Sequence, residues 1–203
     1  MKRIIKKVIK VLLYILITFI FVHCCVYRRM TYINKEELEW VTNRHEGEKM
    51  YFESEEGIKD TIEICNIRVD NSLNPFYFSY FNTGAMTHIA GGGIDFRFMR
   101  TTACEGSFGV VKLFNDESLY FFCDLLDRTS SFIPLYPIEL KIRNTVLDDV
   151  LFFDEKFTKQ IDYEEDCYRP DRPIKSYAWS KKYGLVQYTY QDGETFTRTD
   201  IGN

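Results

Sequence analysis

The chain is poor in alanine: Ala85, Ala90, Ala103 and Ala178 are the only four in 203 residues. Helical proteins lean on Ala and Leu, so a mainly helical body is disfavoured. Histidine is scarcer still. His23, His45 and His88 are too few for a histidine-rich metal site. No Ala, Gly or Ser occurs between Met1 and Cys25, so the small-residue cut that ordinary signal peptidase needs is missing. A G-x-S-x-G nucleophile motif and calcium-loop spacing are also missing. No acid stands in residues 1–29, and neither an internal repeat nor a low-complexity tract appears.

What is abundant is aromatic. Phe and Tyr number 17 and 14, and such side chains favour half-buried pleated surfaces. Charge is divided unevenly. Lys2, Arg3, Lys6, Lys7, Lys10, Arg28 and Arg29 leave residues 30–203 with 19 bases against 30 acids, a net charge of −11. A domain that acidic repels phosphate backbones, and no basic stripe interleaved with aromatics is present. Nucleic-acid binding is excluded as an expectation.

From Val11 to Tyr27 there is no charge, and only Thr18 and His23 interrupt the apolar run. With Val8 included and Lys10 snorkelling, about twenty residues at 1.5 Å rise cover the roughly 30 Å hydrocarbon core of a bilayer. The sequence therefore predicts a transmembrane signal anchor over residues 1–29. Five bases precede the run and two follow it, which keeps the N-terminus cytoplasmic and sends the acidic bulk outward. The expected location is a bacterial inner membrane with the C-terminal domain periplasmic. A lipid anchor at Cys24 or Cys25 is the alternative, but His23 fits poorly beside a lipidated cysteine.

Residues 30–47 read as a polar tether with a short helix over Lys35–Val41 capped by Asn34, or as an irregular lead-in strand. Residues 48–203 read as the β-rich exported domain. "KMYFESEEGIKDTIEI" predicts a hairpin in which Gly57 takes positive φ. "NPFYFSYFNTG" predicts an aromatic strand, and "SFGVVKLFNDESLYFFCDL" two strands joined through Asn115–Ser118. "FIPLYPIELKIRN" suggests an edge strand, and "TVLDDVLFFDE" a strand near Val150–Phe153. In "YGLVQYTYQDGETFTRT" a two-residue Asp192-Gly193 turn would set Tyr190 opposite Thr195 and Tyr188 opposite Thr197, with Gln187 and Arg198 on the other face. The fold class expected is mainly β: an N-terminal transmembrane helix followed by an antiparallel barrel or sandwich of nine or ten strands.

The segments "ELEWV", "GEKMYFESEEGIKDTIEI" and "YAWSKKYGLVQYTYQDGETFTR" resemble those of envelope proteins and lipoproteins of Bacteroides-type bacteria. The resemblance spans much of residues 36–199. It implies an envelope location and a β-rich fold, and it implies no activity.

Candidate chemistry is sparse. Of the exported cysteines, Cys65 and Cys123 lie in apolar strands and are expected to be free, whereas Cys104 and Cys167 lie in polar loops and form the candidate disulfide. Their spacing does not suit zinc. In "CEGS", adjacent Cys104, Glu105 and Ser107 cannot converge on a strand, because neighbouring side chains point to opposite faces. Gly91–Gly93 is expected to form a turn or bulge, since a phosphate cradle needs a strand–loop–helix unit. Asp148, Asp149, Glu164, Glu165 and Asp166 are expected to be hydrated loop carboxylates. No catalytic, cofactor or metal residue is assigned. The functional expectation is a membrane-tethered binding or scaffold module whose partner is another envelope protein. The alternatives are a carrier of lipid or small apolar ligands in a barrel cavity, and a lipoprotein enzyme with an unrecognised site.

Overall fold

A computed structural model of the chain describes residues 2–26, 31–71, 89–99, 106–113, 118–160 and 172–201, with side chains of the first helix described over 4–21. Helix α1 spans Lys2–Val26 and α2 spans Lys35–Thr42. The strands are β1 (Lys49–Ser54), β2 (Lys59–Asp70), β3 (Ala90–Phe98), β4 (Gly106–Lys112), β5 (Leu119–Leu125) and β6 (Arg128–Ser130). They continue as β7 (Ile138–Ile142), β8 (Thr145–Phe153), β9 (Thr158–Gln160), β10 (Ile174–Ser180), β11 (Gly184–Tyr190) and β12 (Thr195–Arg198).

The protein is mainly β, and the described strands form one antiparallel sheet in the order β7-β8-β10-β11-β12-β1-β2-β3-β4-β5-β6-β9. One sheet replaces the two facing sheets that a sandwich requires. Alternation explains why these segments are strands. In β1, Met50, Phe52 and Ser54 turn inward, and in β2 Asp60, Ile62 and Ile64 do the same. Gly57 links them with φ +81, as the hairpin reading expected.

The sheet curls until distant strands meet across its interior. Phe108 of β4 stacks on Trp179 of β10 with ring centroids 4.1 Å apart and planes 7° apart, and Phe96 of β3 lies 5.8 Å from the same indole. Tyr188 stacks on Phe196 and meets Phe98 edge-on. These rings fill the main core. A smaller core on the opposite face of β8, β10 and β11 gathers Ile142, Val150, Ala178, Val186 and Ile201.

Helix α2 plugs one end of the curl. Asn34 caps it by accepting from Glu37 N–H, and Glu37 Oε2 accepts from Asn34 N–H in return. Trp40 reaches into the core, 5.0 Å from Phe121. Val41 sits over Gly92, where a Cβ would come within 2.6 Å of Val41 Cγ2. This corrects the expectation for Gly91–Gly93. They lie inside β3, paired with β2 and β4, because a helix must approach the strand there.

The last hairpin also departs from expectation. Gln187 faces Thr197, Tyr188 faces Phe196 and Thr189 faces Thr195. Gly193 alone takes positive φ, at +96, so Gln191, Asp192 and Gly193 form a three-residue loop. One added residue reverses every face of β12. Phe196 and Arg198 turn inward, while Thr195 and Thr197 meet Thr189 and Gln187 outside.

Candidate functional site

The richest buried polar cluster lies where β5 and β6 meet β10. Leu126, at φ +51, turns the chain so that Asp127 and Arg128 reach across the interior. Asp127 Oδ1 accepts from Ile174 N–H at 2.8 Å, and Arg128 Nε donates to Ile174 O at 2.8 Å. Two side chains thus bind both backbone groups of one residue, as a neighbouring strand would. Arg128 extends to Thr158 Oγ1 and Glu155, which ties in β9. Asp127 Oδ2 is buried and has no hydrogen-bond partner.

Cys123 and Tyr177 lie beside this seam. Tyr177 Oη donates to Cys123 O at 2.6 Å, and Ser130 Oγ accepts from Cys123 N–H at 2.7 Å. Burial pushes the Cys123 thiol well up, with the Asp124 charge adding to it, so the sulfur stays a neutral thiol. Burial likewise raises the Tyr177 hydroxyl. Neither group is poised as nucleophile or base at neutral pH. The cluster fastens the sheet.

A second network joins α2 to the C-terminal strands. Arg44 donates to Glu48 Oε1 at 2.6 Å and to Lys182 O. Arg198 grips Asp200 through two bonds of 2.7 and 2.9 Å and also donates to Tyr183 O. Both arginines therefore hold the 181–183 turn in place. Burial lowers the Arg44 guanidinium from its usual value, and the Glu48 charge opposes that shift.

No family model, no curated protein and no solved structure matches the chain. Assignment accordingly rests on the residues themselves.

The residues singled out from sequence fall in three groups. Cys123 is a free, buried cysteine, as expected, and Cys65 lies half-buried in β2. Cys104, Cys167, His88, Glu164, Glu165, Asp166 and the aromatic segment 74–84 lie outside the described residues. Cys24 and Cys25 fall in the last turn of α1, with side chains outside the description. Asp149 is not a hydrated loop carboxylate: it lies in β8, accepts from Ser180 Oγ and Lys182 N–H, and so shapes the β10–β11 turn. Among the described residues no group of three or more metal-ligating side chains is assembled.

Sequence reasoning missed Asp127–Arg128 and placed Arg198 on the wrong face. Nothing local marks the Asp127–Arg128 pair, because Ile174 lies 47 residues from Asp127; Arg198 has a local partner in Asp200 but turns inward to reach Tyr183 O, 15 residues away.

The remaining site is the junction of helix and domain. Among the described residues no helix is long and apolar enough to cross a membrane. The described side chains of α1 include Lys6, Lys7 and Lys10, and the expected span to Tyr27 runs beyond them. Within that stretch every large apolar side chain from Ile4 to Phe21 is 50–68% exposed. The chain after α1 is held differently. Thr31 and Ile33 are buried, so the expected tether is packed from Thr31 onward. Asn71 Oδ1 accepts from Ile33 N–H at 2.9 Å, and Asn71 Nδ2 donates to Ile33 O at 2.7 Å.

Proposed function

We propose that this chain is a membrane-tethered β-domain protein of a bacterial envelope, acting as a binding or scaffold module and not as an enzyme. The supporting observation is the bare apolar surface of α1. Each of those side chains would gain roughly 1.5–3 kcal/mol from leaving water, yet the sheet, which buries its own aromatics, covers none of them. A bilayer supplies the missing cover, Lys6, Lys7 and Lys10 mark the cytoplasmic margin, and the acidic domain lies outside.

The filled aromatic interior, with Phe108 and Trp179 in van der Waals stacking, disfavours a ligand carrier in the described part. In this reading the buried thiol and the arginine networks act as struts, and the partner is another envelope protein. The resemblance to Bacteroides-type envelope proteins belongs to the same proposal.

Alkaline carbonate extraction of full-length protein tests the anchor: retention in the membrane pellet is expected, and release overturns it. A reporter fused after Asn203 is expected to be active outside the cytoplasm. Fatty-acid labelling that disappears in Cys24→Ser or Cys25→Ser would replace the transmembrane anchor with a lipid one.

A further inference from the structure

We infer that the β domain stands on the bilayer on the end plugged by α2, with Tyr32 and Val69 toward the phospholipid surface. This rests on the membrane reading of α1 and adds a contact surface to it.

Only residues 27–30 separate the last residue of α1 from buried Thr31. Five Cα steps extend at most about 18 Å. The domain is longer than that. The turn at Glu56 and exposed Val69 lie thirteen residues apart on the β1–β2 hairpin, about 40 Å at strand rise. The α2 end is therefore tied close to the membrane exit, and the far turn is within reach only if the domain lies flat.

Asn71 clamps both backbone groups of Ile33, so the lead-in cannot pivot there. Strand-like alternation then leaves Tyr32 outward, 52% exposed between buried Thr31 and Ile33. Tyrosine suits the lipid–water interface, where its ring meets apolar groups and its hydroxyl meets water.

The test uses the full chain in vesicles of phosphatidylethanolamine and phosphatidylglycerol containing a headgroup-nitroxide lipid. Trp40 and Trp179 are buried and supply a constant background. In Tyr32→Trp the added fluorescence is expected to be lost to the nitroxide, and in Glu56→Trp it is expected to survive. Equal loss at both positions, or loss only at 56, overturns the upright orientation. Failure of the protein to float with the vesicles would instead overturn the membrane reading. In Asn71→Ala, checked for an unchanged circular dichroism spectrum, the contrast between the two positions is expected to shrink. An undiminished contrast removes the clamp from the account.

Discussion

Helix α1 and the curled sheet are both rich in apolar side chains, and they treat water oppositely. Leu12, Leu16 and Phe19 stand 59%, 53% and 68% exposed, while Phe96, Phe108 and Trp179 are wholly buried. The difference is one of periodicity. Strands that alternate apolar and polar residues can turn one face inward and satisfy the other with water. The run from Val11 is apolar all round, so no single face could dock and leave a wet one behind. Apolar content alone does not define a core; the pattern decides which solvent completes it.

Four experiments press on that contrast, and the largest effect concerns α1 itself. Removing residues 1–29 is expected to move the protein from the membrane pellet to the soluble fraction while its β-type circular dichroism persists; loss of the β signal would mean that α1 contributes to the domain's core. Within the sheet, Trp179→Ala is expected to cost about 3–5 kcal/mol by urea denaturation, because it opens a void against Phe96 and Phe108. Leu16→Ala, by contrast, should leave that urea midpoint unmoved.

Gly109→Ala should be milder, at about 1–3 kcal/mol of overpacking. Its Cβ would meet the Phe122 ring at 2.1 Å and Gly92 O at 2.9 Å, and the backbone oxygen has little room to retreat. The smallest effect concerns pH. Burial pushes the Asp200 carboxyl up, but the hydrogen bonds from Arg198 outweigh it and hold the group below its usual value. Such a carboxylate contributes stability above the unfolded pKa, and the contribution is lost as pH falls through the folded value. The urea midpoint is expected to drop on acidification below about pH 4, with a shallower slope in Asp200→Asn.

Particular elements show how far the sequence could be read. Asn34 and Glu37 form a local capping pair, so α2 was legible within eight residues. The Glu55–Gly57 turn was legible because Gly57 supplies its own positive φ. The Asp192–Gly193 turn was misread by one residue because Asp192 keeps negative φ, a choice made by Phe196 stacking on Tyr188 inside the core. Gly91–Gly93 was misread as a turn or bulge because the helix that packs on Gly92 lies some fifty residues earlier. The Asp127–Arg128 seam was invisible because its partner is the backbone of Ile174, which has no side-chain signature.

By itself the sequence determined the β character of the body and the uneven charge, since each depends on residue type and short-range period. Tertiary structure alone decided the register of the last hairpin, the curl of the single sheet and the roles of its buried arginines. Those depend on which distant groups can fill a space or accept a hydrogen bond once water has left, and that choice is made only when the strands have come together.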